Sequence, residues 1–385
     1  MSSAYRFYNP VRIYFGRGAR RHLIKYVISK KCLFICSRRG AKRLSNDPIL
    51  RSICGNEDNI FLDDVLANPT LNEIQRQTNK LKKKNFDAIV AFGGGSVIDS
   101  AKAISVIHNI NTQKISIKNL INSSTQLNLV KPLPLFALPT TSGTGSEMTS
   151  FATFWDQKNK KKYSLDHESL FPFASFIDPD LTNELPLCIT LSTGLDAINQ
   201  ACESIWNVNA TPYTLDISFR ALELGLRSLP LIMNKKINKI HNAREDLAES
   251  SMLAGIAISH TRTGVCHSIS YPITSHFNVP HGIACAFTMR QILKINLKKD
   301  DGRFKTLAKR LLGAKKTAKD LIVFFDKFFD DLNVVPIFKN YIDDINEIKA
   351  LKHKMITKAR FKNNLVKLTI SDLDNILEKS LNPLA

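Results

Sequence analysis

The sequence predicts an α/β domain over residues 1–185 followed by an all-α domain over residues 186–385. Two observations lead to this fold class. Before residue 185, short β-branched and aromatic runs alternate with helical periodicity, which is typical of a parallel sheet with crossover helices. After that point the hydrophobic pattern is helical almost throughout. A length of 385 residues also suits a chain of two domains.

The elements can be placed from the hydrophobic pattern. In the first domain we predict strands at 11–15, 32–37, 86–92 and 135–138, and helices at 71–81 and 96–106. In the second domain we predict helices at 192–206, 215–229, 244–260, 303–312 and 316–329.

The composition points to an anionic ligand. The chain has 54 basic and 34 acidic residues, a formal net charge of +20, and no acidic residue before Asp47. Such an excess is expected of a protein that binds phosphate groups, whether they belong to nucleic acid, to a membrane or to a small molecule. No recognition-helix motif or interleaving of aromatic residues with arginine stands out, so we expect no nucleic-acid partner.

No membrane or secretory segment is expected. The longest stretch without Asp, Glu, Lys or Arg, residues 263–289, contains three histidines and two prolines and is not a membrane span. The N-terminus has no apolar core of a signal peptide. Seven cysteines are scattered through the chain, which favours reduced thiols and a cytoplasmic location.

A glycine-rich turn follows the strand predicted at 86–92. Gly93, Gly94 and Gly95 allow a ligand to approach the backbone, and the helix that follows presents unpaired N–H groups suited to a pyrophosphate. Ser96 and Asp99 have the spacing of a capping box. The alternative is a turn that only joins a strand to a helix, because the pattern is not G-x-G-x-x-G.

A second turn follows the strand predicted at 135–138. Every residue from Thr140 to Ser146 is a hydroxyl residue or a glycine, and these include Thr141 and Thr144. Alone, such a segment is usually a loop. Two such turns at the carboxyl ends of neighbouring strands support each other, since ligands of open α/β sheets bind at that edge.

Four residues of the second domain could bind a metal. Asp196 and Gln200 are four residues apart on a predicted helix and share one face, and His267 and His281 flank a segment broken by two prolines. Two imidazoles, a carboxylate and one further donor suit a divalent transition metal. Taken singly, each of these residues could equally be an ordinary hydrogen-bonded one.

Several stretches resemble, in the same order, the iron-containing (group III) alcohol dehydrogenases. They cover most of the length of the chain and are YFGRG at 14–18, NPT at 68–70, GGGSVIDSAK at 93–102, PTTSGTGSE at 139–147, DP at 178–179, TGLDA at 193–197 and PHG at 280–282. The resemblance implies the dehydroquinate synthase-like fold of that family, with a Rossmann-like N-terminal domain and a helical C-terminal domain. It further implies a cleft between the domains where NAD(P)H meets a metal-bound carbonyl.

The resemblance also implies roles for individual residues. The positions implied for the cofactor are Gly93, Gly94, Gly95, Ser96, Asp99, Thr140, Thr141 and Thr144, with Asn68 and Lys162 nearby. The positions implied for a divalent metal, iron or zinc, are Asp196, Gln200, His267 and His281.

Three positions depart from the family pattern. Gln200 replaces a histidine ligand, and a carboxamide oxygen is a weaker ligand than imidazole. Tyr271 replaces a histidine thought to assist proton transfer, and a phenol with a pKa of ~10 is a weaker acid than imidazolium. Ser37, followed by Arg38 and Arg39, replaces the acid that usually binds the adenosine ribose, so we expect NADP(H) to be accepted besides NAD(H).

One branch of the family, the phosphonoacetaldehyde reductases, is the most similar. The resemblance lies in FATFWD at 151–156, KKYSL at 161–165, ESIWN at 203–207, TRT at 261–263 and HSISYP at 267–272. It implies a small anionic aldehyde or alcohol as substrate, with Arg262 and Lys162 as candidate cations and Tyr271 as candidate proton donor. Arg262 could equally form a structural ion pair.

Other functions stay open at this point. These are a dehydrogenase of the same family with a neutral substrate, a lyase of the dehydroquinate synthase type, and a metal-poor, catalytically silent relative. We expect an enzyme that assembles as a homo-oligomer, as a dimer in the simplest case.

Overall fold

A computed structural model describes residues 4–108, 117–122, 127, 131–234 and 237–382. Contacts between Cα atoms divide the chain into two compact units. The α/β unit comprises residues 9–185, and the helical unit comprises residues 186–385 together with the first eight residues.

The α/β unit is built on a parallel sheet. Its strands are β1 (Arg12–Phe15), β2 (Cys32–Cys36), β3 (Ile60–Leu62), β4 (Ala88–Gly93), β5 (Leu135–Pro139) and β8 (Ala174–Ile177). They lie in the order β1-β8-β5-β4-β2-β3, and each neighbouring pair is parallel. The order places β4 between β2 and β5, so the carboxyl ends of these three strands are neighbours.

The remaining strands, β6 (Phe151–Asp156) and β7 (Lys161–Asp166), form an antiparallel hairpin. The helices of this unit are α1 (Ile24–Val27), α2 (Arg38–Asn46), α3 (Arg51–Cys54), α4 (Leu71–Leu81), α5 (Gly95–Ile107) and α6 (Ile117–Asn122). All residues of β2, β4 and β5 are buried, as expected of central parallel strands that are covered on both faces.

The helical unit follows. Its helices are α7 (Leu187–Ile205), α8 (Pro212–Met233), α9 (Ile237–Thr261), α10 (Val265–Phe277), α11 (His281–Asn296), α12 (Arg303–Leu312), α13 (Asp320–Asp331), α14 (Val334–Lys339), α15 (Ile345–Ala350), α16 (Lys352–Met355), α17 (Lys358–Phe361) and α18 (Ile370–Leu381). One apolar core joins α7, α8, α10, α11 and the C-terminal helices. The predicted fold class, α/β followed by all-α, is confirmed.

The prediction that prolines break the segment between the two histidines is wrong in part. Helix α10 runs through Pro272, which forfeits one backbone hydrogen bond in a helix that is buried along most of its length. The chain turns only at Asn278, whose φ of 58° is left-handed, and Pro280 is the N-cap residue of α11.

Strands β3, β6, β7 and β8 were not predicted. In β3 and β8 the run is only three or four residues long, too short for periodicity to distinguish it from a loop. Within the described part of the chain, no helix has both the length and the apolar character needed to cross a lipid bilayer.

Candidate active site

Two turns meet at one edge of the parallel sheet. Gly93 ends β4 and lies in register with Pro139, the last residue of β5. The amide of Thr140 donates a hydrogen bond to the carbonyl oxygen of Gly93, with an N–O distance of 3.0 Å. Since ligands of parallel sheets bind at this edge, the two predicted turns lie where a cofactor would be expected.

The glycines of the first turn pack closely against the second turn. A Cβ atom on Gly94 would lie 3.1 Å from Oγ1 of Thr141, and one on Gly95 would lie 2.8 Å from both Oγ1 and Cγ2 of Thr144. A Cβ atom on Gly95 could fit only if Thr144 moved. The two turns therefore pack as one surface of backbone amides and hydroxyl groups.

The helix after the first turn begins without a side-chain cap. Helix α5 starts at Gly95, and its N-cap residue is Gly94. The predicted capping box of Ser96 and Asp99 is wrong, because Ser96 lies inside the helix and its Oγ accepts a hydrogen bond of 3.1 Å from the amide of Asn68. Asn68 adopts a left-handed φ of 56°. The first N–H groups of α5 thus stay available to an anionic ligand.

Asp99 is bound by the scaffold. Its Oδ1 accepts a hydrogen bond of 2.5 Å from Oγ of Ser146, and its Oδ2 accepts one of 2.8 Å from the amide of Thr153. The Nζ of Lys102 lies 4.0 Å from the carboxylate. Burial raises the pKa of Asp99, against the opposing effect of Lys102 and of Ser146. These contacts tie the second turn to α5 and to the hairpin.

Ser37 and Arg38 lie beside the glycine turn. Cys36, the last residue of β2, is in register with Phe92 of β4. Ser37 is the N-cap residue of α2 and accepts a hydrogen bond of 3.1 Å from the amide of Gly40. Arg38 opens the helix and is exposed. An arginine, rather than an acid, therefore follows the neighbouring strand at this edge.

Lys162 lies on the hairpin. It pairs with Trp155 across β6 and β7, and its Nζ is 5.7 Å from the centroid of the Trp155 ring. The amide of Trp155 donates a hydrogen bond of 2.9 Å to the carbonyl of Pro69. The hairpin thereby contacts the segment that contains Asn68. That both Asn68 and Lys162 lie near the cofactor stays a prediction.

A cluster of potential metal ligands lies inside the helical unit. Asp196 of α7, His267 of α10, and His281 and Cys285 of α11 each offer one donor atom, and all four donor atoms lie within 4.8 Å of one another. The Nε2 of His267 is 3.2 Å from Oδ1 of Asp196. One carboxylate, two imidazoles and a thiol within this distance form a donor set that fits a divalent transition metal.

The position of His281 depends on its neighbour Gly282. A Cβ atom at residue 282 would lie 1.7 Å from the carbonyl oxygen of Ser192 and 3.0 Å from the amide nitrogen of Asp196. The amide of Gly282 also donates a hydrogen bond of 3.2 Å to Oγ of Ser192. The start of α11 thus touches the backbone of α7, and this contact brings His281 to Asp196.

Glu203 orients His267. Its Oε2 is 2.7 Å from Nδ1 of His267, and its two oxygens accept hydrogen bonds from the amides of Gly264, Cys266 and His267. Burial would raise the pKa of Glu203, but the histidine and the backbone N–H groups lower it overall. An ionised Glu203 binds the Nδ1–H of His267 and leaves Nε2 directed at the cluster as a ligand atom. Sequence reasoning missed this residue.

Three of the four residues predicted to bind a metal belong to this set of carboxylate, imidazole and thiol donors. Gln200, the fourth, is buried one helical turn after Asp196 on α7. Cys285 was missed, although it follows His281 by four residues and therefore shares its face of α11. The four-residue spacing from His281 could have identified Cys285 from the sequence.

Tyr271 lies next to the cluster. Its ring stacks on that of His281, with centroids 5.9 Å apart and planes at 13°. The guanidinium carbon of Arg360 is 5.3 Å from the centroid of the Tyr271 ring, and Nη1 of Arg360 donates a hydrogen bond to Oγ1 of Thr263. Arg262 precedes Thr263 and has a left-handed φ of 62°. Arg360 is thus a cation close to Tyr271 that was not predicted.

The chain matches two family models. The model of the iron-containing alcohol dehydrogenases matches residues 10–179, and the model of the C-terminal region of the Fe-containing alcohol dehydrogenase family matches residues 190–381. Together they account for most of both units.

Individual relatives agree with these matches. The probable alcohol dehydrogenase EutG of Escherichia coli K12 is 31% identical over 259 residues, which are 67% of this chain and 63% of that protein. The sulfoacetaldehyde reductase of Bilophila wadsworthia is 28% identical over 377 residues, 94% of this chain and 95% of that protein. The crystal structure of a sulfoacetaldehyde reductase from Bifidobacterium kashiwanohense in complex with NAD+ has a TM-score of 0.85 at 25% identity and covers 99% of both chains.

Proposed function

Because the chain belongs to the iron-containing alcohol dehydrogenase family, we propose that it is an NAD(P)H-dependent reductase of a small anionic aldehyde. Our specific proposal is the reduction of phosphonoacetaldehyde to 2-hydroxyethylphosphonate. The family resemblance predicted from the sequence is confirmed, as is the prediction of an enzyme of the alcohol dehydrogenase class. The phosphonoacetaldehyde branch stays a prediction.

One observation carries the proposal: a cluster of metal ligands lies next to a phenol and a guanidinium group. His281 stacks on Tyr271, and Arg360 lies over the same ring. Arg262 lies in the turn between α9 and α10. Guanidinium groups suit a phosphonate because their planar fork can donate to two oxygens at once. A neutral aldehyde would need no such cations.

The cofactor is assigned to the edge of the parallel sheet. We propose that Gly93, Gly94, Gly95 and Ser96, with the start of α5, bind the pyrophosphate, and that Thr140, Thr141 and Thr144 add hydroxyl donors. Asn68 and Lys162 would lie near the nicotinamide ribose. Asp99 would act indirectly by holding Ser146. Ser37 and Arg38 would receive the adenosine ribose and make NADP(H) the preferred cofactor.

The metal is assigned to Asp196, His267 and His281. A divalent cation bound there, iron or zinc, would polarise the aldehyde oxygen as a Lewis acid. Glu203 holds His267 in the tautomer that such binding requires. We propose that Arg262 binds the anionic end of the substrate and that Lys162 contributes a second positive charge.

A nicotinamide cofactor bound at the sheet edge would supply a hydride to the carbonyl carbon, and the negative charge left on the oxygen would need a proton. We propose that Tyr271 donates the proton that neutralises this charge. The tyrosine would then regain its proton from solvent. The balanced reaction converts aldehyde, NAD(P)H and one proton into alcohol and NAD(P)+.

A second candidate substrate is sulfoacetaldehyde. It is favoured by the similarity to two sulfoacetaldehyde reductases along almost the whole chain. Sulfonate and phosphonate differ in charge, and a second negative charge should favour a site with several cations. Homo-oligomeric assembly and a cytoplasmic location also stay predictions.

The test is NADPH oxidation by the purified protein with phosphonoacetaldehyde, sulfoacetaldehyde and propanal. We expect the highest kcat/KM with the phosphonate, and Arg262→Ala should raise KM for phosphonoacetaldehyde far more than for propanal. Arg220→Ala, a change at a half-exposed ion pair on α8, serves as the control. Equal effects of Arg262→Ala on both aldehydes would reject its role, and a preference for propanal would reject the anionic substrate.

A further inference from the structure

The side chain of Cys285 lies where a metal ligand would lie. It is fully buried, and its Sγ lies 3.8 Å from Nε2 and 4.0 Å from Nδ1 of His281. Its sulfur and the donor atoms of Asp196, His267 and His281 are mutually within 4.8 Å. A thiol that only fills space in a core would have apolar neighbours, whereas this one faces three strong metal-binding groups.

Two of the donor-to-donor distances are close to those of a four-coordinate site. Zinc–nitrogen, zinc–oxygen and zinc–sulfur bonds in a tetrahedron place a nitrogen and an oxygen donor about 3.3 Å apart and a nitrogen and a sulfur donor about 3.6 Å apart. The pair His267 and Asp196 is at 3.2 Å, and the pair His281 and Cys285 is at 3.8 Å. Two donor pairs thus have nearly the spacing of a four-coordinate site, and the remaining pairs lie within 4.8 Å.

The chemistry of the donors favours a thiolate over a carboxamide. Thiolate is a soft, negatively charged ligand and is common around zinc, while a neutral amide oxygen suits harder cations. Together with Asp196, a thiolate would give the site two negative charges. When Cys285 binds the cation, its proton is released to solvent.

We propose that Cys285, rather than Gln200, is the fourth protein ligand, and that this Asp-His-His-Cys site selects zinc over iron. The inference rests on the proposed function, because it assumes that Asp196, His267 and His281 bind a divalent metal. Thiolate ligation and tetrahedral geometry both favour Zn²⁺ relative to Fe²⁺, which also binds more weakly to most donor sets.

The test uses cobalt as a spectroscopic probe. The full chain is stripped with a chelator and reloaded with one equivalent of Co²⁺. A thiolate ligand produces a sulfur-to-cobalt charge-transfer band in the near ultraviolet, which nitrogen and oxygen ligands do not produce. We expect this band in the wild-type protein and in Gln200→Ala, and its loss in Cys285→Ser.

Cys266→Ser is the matched control, since Cys266 is an equally buried thiol on α10 outside the cluster. It should retain the band. Competition with a chelator should show that Cys285→Ser lowers Zn²⁺ affinity by more than about 100-fold. Mutation of residues that only hydrogen-bond to a metal ligand already lowers metal affinity about 10–100-fold. Circular dichroism establishes that the variants are folded. The charge-transfer band of the cobalt-loaded wild-type protein tests the proposal without any variant.

The outcomes separate the two proposals. Stoichiometric cobalt without the charge-transfer band would overturn the role of Cys285 and leave the reductase proposal intact. A band that persists in Cys285→Ser, or higher affinity for Fe²⁺ than for Zn²⁺, would also overturn the inference. The band without NADPH-dependent reduction of any aldehyde would support the ligand set and reject the proposed function.

Discussion

The two units build their candidate sites from different parts of the polypeptide. At the sheet edge, the available groups are backbone amides and small side chains, positioned by the register of Gly93 with Pro139. In the helical unit, they are buried or partly buried ionisable side chains from three helices. The first arrangement depends on the absence of Cβ atoms, and the second depends on one helix–helix contact. The sites should therefore fail in different ways.

Their buried carboxyl groups show the same difference. In the α/β unit, burial raises the pKa of Glu147 to about 7, against the effects of its own amide and of Lys102. In the helical unit, Glu203 is equally buried, but His267 and the amides at the start of α10 lower its pKa. A buried acid thus stays ionised where a helix start and an imidazole face it, and tends to be protonated where they do not.

The largest effect is expected from Gly282→Ala. The added methyl group would lie 1.7 Å from a backbone oxygen of α7, so α11 must move away, carrying His281 with it. We expect a loss of about 3 kcal/mol or more in the free energy of unfolding, together with loss of metal binding. Denaturant unfolding and metal analysis measure these effects.

Gly194→Ala is the control for that variant. Its methyl group would meet Cδ1 of Leu229 at 2.8 Å, and this flexible side chain can rotate away. A smaller loss of stability with retained metal is expected. If both variants bind metal normally, the contact at Gly282 does not position the cluster.

The next largest effect is expected from Glu203→Gln. A carboxamide can still accept hydrogen bonds from backbone amides, but it no longer offers a charge to Nδ1 of His267. We expect the affinity for Zn²⁺ to fall about 10–100-fold, measured by chelator competition. Glu249→Gln, a change of a partly exposed acid on α9, should leave the affinity unchanged. Equal affinities in both variants would contradict the role of Glu203.

A smaller effect is expected at the sheet edge from Ser37→Asp. Aspartate can still cap α2, but its charge repels a 2′-phosphate. We expect the ratio of kcat/KM for NADPH to that for NADH to fall at least about tenfold, which corresponds to ~1.4 kcal/mol. Ser37→Asn, which caps the helix without a charge, should keep the ratio within a few-fold. An unchanged ratio in Ser37→Asp would show that the adenosine ribose binds elsewhere.

A last effect is expected from Glu147→Gln, and it depends on pH. The pKa of Glu147 is raised from 4.5 to about 7 in the folded protein, so folding stability is lost as pH rises through that interval. The glutamine variant cannot ionise and should gain stability relative to wild type over this range. Urea unfolding at several pH values tests this, with exposed Glu57→Gln as a control that should follow wild type.

The sheet edge was predictable because local sequence determines it. A glycine run and a run of hydroxyl residues each follow an apolar strand. Because these two strands are parallel neighbours, the two runs lie close together at the same edge of the sheet. The capping box failed because α5 starts one residue earlier than its first polar side chain. Asp99 then bonds to Ser146, a partner 47 positions away that spacing cannot reveal.

The metal cluster was only partly predictable because it depends on long-range packing. Asp196, His267 and His281 came from the family resemblance, whereas Glu203 contacts His267 across 64 residues of sequence and Cys285 joins the cluster along α11. Pro272 was read as a break because proline usually ends a helix, and the buried setting of α10 overrides that tendency. Arg360 lies near Tyr271 on the short helix α17. None of the stretches that resemble the family includes this helix, so its position could not be predicted.

The packing of Gly94 and Gly95 against Thr141 and Thr144 has an evolutionary consequence. A descendant of this protein that no longer used a nucleotide would still meet a packing cost on replacing Gly95, since an added Cβ atom would lie 2.8 Å from Thr144. Retention of the glycine run in such a descendant would therefore not show that it still binds a nucleotide. Divergence in activity should instead be sought at Ser37, Gln200, Tyr271 and Cys285, which lie at the proposed cofactor and metal sites.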